Sequence, residues 1–262
     1  VFRRNVALRK EKLCKIYTLD LGTRIAFERN GQEQELFMKR KSAGFTLVEI
    51  AIVLVIIGLL LGGILKGQEM IQQARIKNVI ADFSGISAAY YGYQDRYRAI
   101  PGDDPGAAGR WSGAFGGDGN GQVAGAYNVT CPDAVVDATP ESCKWWDHLR
   151  RAGFVAGTGG RQPFNAVAGL LGVQTGDAGN PIGPILGTNG AGAGGFSGLI
   201  VCSANLPDKI AIAVDTQMDD GVPISGTVRG LLQTAPNPSP ANPASAAYAE
   251  TGTNTYLLCR AL

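Results

Sequence analysis

Histidine is almost absent from this 262-residue sequence: His148 is the only one, and methionine and tryptophan number three each. With one imidazole and no Cys-x-x-Cys pair among five cysteines, a zinc site lacks its donor set and is not expected. No Ser-His-Asp order, phosphate loop or paired-carboxylate motif can be assembled either, so no enzymatic activity is expected. Charged residues make up only 18% of the chain while 45% is hydrophobic, which excludes a wholly disordered chain. Of the 37 glycines, 24 lie between Gly102 and Gly198, without a three-residue period. Collagen is thereby excluded, and a loop-rich region is expected.

A net positive charge is missing where most of the chain lies. Residues 1–44 carry a net +6 and residues 45–262 a net −4. The larger part lacks the cationic surface needed to displace phosphate counterions, so no direct nucleic-acid binding is expected.

What is present is a long apolar run behind a basic flank. Lys39-Arg40-Lys41-Ser42-Ala43-Gly44 leads into 21 residues, Phe45 to Leu65, whose single ionisable group is Glu49. As a helix this run is about 31 Å long, enough to cross a hydrocarbon core. The cations before it predict a cytoplasmic N-terminal flank and an exported remainder. A secretory signal would have a shorter apolar stretch and a small-x-small site, whereas Lys66-Gly67-Gln68-Glu69 follows here. A plain signal anchor leaves Glu49 unexplained, because a carboxylate at mid-span costs roughly 2.5–3.5 kcal/mol, somewhat less near the end.

Gly44-Phe45-Thr46-Leu47-Val48-Glu49 with the run behind it resembles the processing and assembly signature of type IV pilins and type II secretion pseudopilins. The resemblance implies cleavage between Gly44 and Phe45 by a prepilin peptidase, N-methylation of Phe45, and an assembly role for Glu49. It implies three kinds of partner: the peptidase/methyltransferase, other pilin or pseudopilin subunits, and an inner-membrane assembly platform. The precursor would sit in the inner membrane with its C-terminal domain in the periplasm, and later in a pilus or pseudopilus. The physics agrees: a Glu49 carboxylate facing the Phe45 ammonium of a neighbouring subunit neutralises both, and a subunit out of register leaves charges unpaired. Met38–Gly44 is by itself a complete leader of this kind. Residues 1–37, which open on Val1, have no clear periodicity and include Cys14. They are therefore expected to be a gene-start error, with the true start at Met38, or else part of a leader lost on cleavage.

Beyond Leu65 the pattern becomes amphipathic. Ile76, Ile80, Phe83, Ile86, Tyr90, Tyr93 and Tyr97 mark one helical face, so a helix is predicted from Phe45 to about Arg98, ended by Pro101-Gly102. Residues 45–65 form its transmembrane or filament-core half, residues 66–100 its amphipathic half, and residues 101–262 an exported domain. Many major pilins have a proline inside this helix; here Gly58, Gly62, Gly63 and Gly67 stand instead, for unwinding or for close packing. A second helix is predicted at Glu141–Ala152, holding His148 in a packing role. Strands are predicted at Gly198–Ser203, Lys209–Asp215, Thr227–Leu232 and Thr255–Cys259, with the middle two joined as a hairpin or meander around Asp219-Asp220-Gly221. Ala235–Ala244, with four prolines, reads as a surface loop. The expected class is α+β, pilin-like: a long N-terminal helix on a C-terminal antiparallel sheet with glycine-rich loops.

Apart from Cys14, the cysteines are Cys131, Cys143, Cys202 and Cys259, an even set suited to two disulfides outside the cytoplasm. Three pairings are possible; Cys131–Cys143 and Cys202–Cys259 are favoured, the latter resembling the disulfide that staples the C-terminal region of many pilins. Gly116-Gly117-Asp118-Gly119-Asn120-Gly121 looks like a calcium-loop fragment without its terminal glutamate, and a plain turn is the weightier reading. Asp118, Asn120, Asp219 and Asp220 remain calcium candidates, and no other cofactor is expected. The segments Arg98–Pro105, Gly-Asp-Gly-Asn and Trp-Trp-Asp-His-Leu resemble, more loosely, a subgroup of pilin-like proteins. A membrane-anchored periplasmic binding domain that never polymerises is the competing function.

Overall fold

The computed structural model describes residues 45–262; residues 1–44, and with them Cys14, Met38 and Gly44, lie outside the described residues. The chain divides into two compact units, each described by itself: the first ends at Ala51 and the second runs from Ile52 to Leu262.

Helix α1 spans Leu47–Tyr97. Every side chain from Phe45 to Leu65 is exposed, although all but a few are large and apolar. A helix that is apolar all round belongs in lipid or in a protein core. Its many Val and Ile residues are weak helix formers in water, but in hydrocarbon the backbone must satisfy its own hydrogen bonds, and the helix does this. The glycines at 58, 62, 63 and 67 do not interrupt it. In its C-terminal portion one stripe turns inward: Ile76, Val79, Phe83, Ile86, Ala89, Tyr90 and Tyr93 are buried. The chain leaves the helix at Arg98, which takes a left-handed φ of 55°, just ahead of Pro101.

Next come α2 (Ala107–Arg110), α3 (Glu141–Arg151), β1 (Leu171–Thr175), β2 (Leu199–Pro207), α4 (Asp208–Met218), β3 (Val228–Leu232) and β4 (Thr255–Ala261). The four strands form one antiparallel sheet in the order β1-β2-β4-β3. Side chains alternate between two cores, as the period of two requires. Leu171, Val173, Val201, Val228, Tyr256 and Leu258 meet the inward stripe of α1 together with Trp145 and Leu149 of α3. On the opposite face Ile200, Cys202, Ala204, Leu257 and Cys259 pack beneath loop residues Tyr127, Ile185, Leu186 and Ala244. The glycine-rich loops thus roof the back of the sheet, which explains why β2 and β4 carry apolar residues on both faces. Both edges are covered as well. Leu171 N–H donates to the Pro163 carbonyl and Thr175 N–H to Val123 on β1, while Gly230 N–H donates to Pro223 on β3. A long apolar N-terminal helix packed on a C-terminal antiparallel sheet matches the pilin-like α+β fold.

Two strand readings need correction. Lys209–Asp215 is not a strand but lies in α4, where Ile210, Ala211 and Val214 are buried at helical spacing. Its apolar run is short enough to satisfy either period; Pro207 before it and Asp208 in the first turn favour the helix. Asp219-Asp220-Gly221 therefore ends α4, and β3 pairs with β4 instead of forming a hairpin across this turn. Strand β1 was not foreseen, because Gly172 and Gln174 interrupt its apolar pattern. Gly172 lies flush against Tyr127, leaving no room for a Cβ, and Gln174 Oε1 accepts the Tyr127 N–H at 3.0 Å.

The cysteines sit in two bridges. Cys202 and Cys259 face each other in register on β2 and β4, Cα atoms 4.0 Å apart, and Cys131 is joined to Cys143 on α3, Cα atoms 5.4 Å apart. The second bridge closes a loop of 12 residues. Replacing Cys131 and Cys143 by serine is expected to cost about 2–3 kcal/mol in a urea melt, with the helix-facing core intact by circular dichroism.

Candidate functional site

At the start of α1, Thr46 and Glu49 cap one another. Glu49 Oε2 accepts the Thr46 backbone N–H and the Thr46 hydroxyl, both at 2.8 Å, while Thr46 Oγ1 accepts the Glu49 N–H at 3.2 Å. This is a reciprocal capping box: the Ncap hydroxyl satisfies the third helical N–H and the glutamate reaches back. Phe45 beside it is 82% exposed. The carboxylate is thus held at the amino end of its own helix by uncharged donors, the partners it has among the described residues. Thr46 was missed as a positioning residue, although Thr46-Leu47-Val48-Glu49 spells the Thr-x-x-Glu signature.

A second constellation joins the three segments whose context looked alike. Asp103 collects the Gly116–Gly121 loop: Oδ1 accepts the Gly119 and Asn120 N–H groups at 2.7 and 3.1 Å, and Oδ2 accepts Gly121 N–H at 2.8 Å. Glu141, in the first turn of α3, accepts the N–H groups of Asp118 and Ala124 at 3.1 and 2.9 Å. His148 Nδ1 accepts Gly102 N–H at 2.9 Å, and its Nε2 sits 2.8 Å from the Phe115 carbonyl. Those partners fix the neutral tautomer with the proton on Nε2. Asp104 accepts the Tyr93 hydroxyl of α1 at 2.6 Å and pairs with Arg110. Lys144 donates to the Gly116 carbonyl at 2.8 Å. Gly117 lies against the Asp103 backbone so closely that a Cβ has no space, which is why glycine stands there. Burial pushes the Asp103 carboxyl up, against the loop N–H groups that favour its charge, and the nearby Glu141 adds to the rise. The arrangement fastens a loop and α3 to α1. Its carboxylates are already engaged by backbone donors, so it is a structural junction.

The four calcium candidates fall into two separate groups. Asp118 lies with Asp103 and Glu141, and Asp219 and Asp220 lie with Asp215. Asp118 Oδ1 and Oδ2 accept the backbone and side-chain N–H groups of Asn120 at 3.0 and 2.8 Å, and Asn120 Oδ1 accepts Gln122 N–H at 2.8 Å. This loop presents N–H groups inward and binds its own carboxylates.

Residues 39–65 match the family described as the prokaryotic N-terminal methylation motif. The match takes in the basic flank, Gly44, Phe45, Glu49 and the whole apolar run. No curated protein and no solved structure matches the chain. A prepilin-type N-terminal methylation motif is therefore present, consistent with the type IV pilin and pseudopilin family. The single described helix that is long and apolar enough to cross a membrane supports an inner-membrane, single-pass topology.

Proposed function

We propose that the chain is a filament subunit, cut between Gly44 and Phe45 by a prepilin peptidase, methylated on Phe45, and assembled through α1 into a pilus or pseudopilus. In this reading residues 1–44 are the leader, residues 45–65 are transmembrane before assembly and form the filament core after it, and residues 66–100 tie that rod to the exported domain of residues 101–262. The N-terminus faces the cytoplasm and the domain faces the periplasm. Its partners are the peptidase, an assembly platform and other subunits. One observation carries the proposal: Glu49 lies in the apolar, exposed first half of α1 and has only neutral partners among the described residues. Freed Phe45 supplies the missing cation, and a neighbouring subunit brings it to the carboxylate. An unpaired charge in a dry core is costly, so the pair sets the axial register.

Shearing cells and pelleting the filaments tests this. The account expects the chain in the pellet, and expects it to disappear from the pellet when the prepilin peptidase is deleted. A processed chain found only in membranes, with filaments of other subunits present, would favour an anchored domain that never polymerises.

A further inference from the structure

Where α1 meets the domain, a cleft of about 460 Å³ opens between the helix and the start of α4. Gln68, Ile71, Gln72 and Arg75 line the α1 side, at the i, i+3, i+4, i+7 spacing that puts residues on one helical face. Pro207, Lys209 and Ile210 line the other side, with Asp208 and Gly252. The cleft lies on the membrane side of Ile76, the first buried residue of the inward stripe. The apolar run that ends at Leu65 sets its depth. At 1.5 Å per residue, Gln68 stands about 4.5 Å beyond Leu65 and Arg75 about 15 Å. The headgroup layer on each side of a bilayer is about 5–8 Å thick. Helical side chains tilt toward the N-terminus, here toward lipid, which brings the Arg75 guanidinium down toward that layer.

We propose, resting on the reading of residues 45–65 as a membrane span, that this cleft binds the phosphodiester headgroup of an anionic phospholipid in the leaflet nearest the domain. Arg75 and Lys209 are its cations. Among the described residues Arg75 is exposed and makes no ion pair. Lys209 Nζ lies 3.5 Å from Glu250 Oε1, but both side chains are more than half exposed, so that pair holds the ammonium weakly. Asp208, the acid on the cleft wall, is buried and its oxygens are taken by backbone donors. Its Oδ1 accepts Lys209 N–H at 2.8 Å, and Oδ2 accepts Thr251 and Gly252 N–H at 2.7 Å each. These bonds fasten the Thr251–Gly252 segment to the head of α4 and fix the wall. A phosphate is what such cations select: the guanidinium forks onto two oxygens and the ammonium adds a point charge. Gln68 and Gln72 offer amide donors to the remaining oxygens. Ile71, 57% exposed, gives the glycerol and upper acyl chain an apolar wall. A headgroup held here fixes the height of the domain above the bilayer, and drawing the subunit into a filament breaks that contact.

Native mass spectrometry of the detergent-solubilised full chain, offered equal amounts of phosphatidylglycerol and phosphatidylcholine, tests the proposal. One phosphatidylglycerol is expected to be retained in preference to phosphatidylcholine, which has the same phosphodiester but no net charge. Arg75→Gln combined with Lys209→Gln should cut that retention at least about tenfold, the loss of two cations from an anionic lipid. Lys77→Gln, on α1 but outside the cleft, should leave it unchanged. Excess inorganic phosphate should not displace the lipid, since it lacks the glycerol and acyl contacts. Equal retention of the two lipids, displacement by inorganic phosphate, or undiminished retention in the double variant would overturn the proposal. The two-lipid comparison needs no variant and decides even if a substitution unfolds the domain. Carbonate extraction of cell membranes checks the span separately. A chain that stays in the pellet but shows no lipid preference sinks this inference alone; a chain released by carbonate sinks the span and the inference with it.

Discussion

Replacing Glu49 with alanine is expected to leave the chain in the membrane and its junction before Phe45 still cut, while removing it from sheared filaments. Inside a packed helical core the Phe45 ammonium of one subunit has lost its water. If the facing carboxylate is deleted, that charge is buried alone, at about 3–5 kcal/mol per subunit contact, or more than a hundredfold in association. Glu49→Gln keeps an acceptor for the Thr46 donors but removes the charge. It should therefore fail to assemble almost as completely, which separates charge pairing from helix capping. Equal recovery of wild type, Glu49→Ala and Glu49→Gln in pelleted filaments would remove the basis for the register argument.

Replacing His148 with alanine is expected to destabilise the folded domain by about 3–5 kcal/mol in a urea melt. The change orphans the Gly102 N–H and the Phe115 carbonyl, each worth about 1–3 kcal/mol when buried without a partner, and leaves a cavity between them. His148 also imposes a pH dependence. Burial holds the imidazole below its ordinary value of 6.5, against the Phe115 hydrogen bond and the Asp147 charge that favour protonation; the Lys144 and Arg110 charges oppose it. A second proton would have to sit on Nδ1, against the Gly102 N–H. Below about pH 6.5 the unfolded chain binds a proton that the folded one refuses. The stabilisation is therefore complete above that pH and declines as pH falls toward the depressed folded value. The urea midpoint of the full chain in detergent should drop between about pH 6.5 and 5, more steeply for wild type than for His148→Ala. A loss below about 1 kcal/mol in the alanine variant, or parallel pH slopes, would show that the imidazole does not clamp the junction.

The parts of the fold legible in the sequence were those with one strong period or one strong stop. Helix α1 announced itself through a long apolar run, a seven-member stripe and Pro101, and the segments at β2, β3 and β4 through short apolar stretches. Residues 209–215 failed because Ile210, Ile212 and Val214 alternate as a strand would, while burial selects Ile210, Ala211 and Val214. Local pattern cannot decide between them; packing does. The junction was half legible. Its three segments were noted, but which residue meets which depends on contacts such as Gly102 with His148, 46 residues apart. The acidic group was legible only as the pair Asp219-Asp220, because Asp215 joins it through the helix that had been read as a strand.

The proposed methylation and cleavage would be recorded in the mass of the chain itself. Protein recovered from sheared filaments should begin at Phe45 and carry one added methyl group on its amino terminus, with nothing of residues 1–44 remaining. A chain still joined to Gly44 in cells with an active prepilin peptidase would contradict the account.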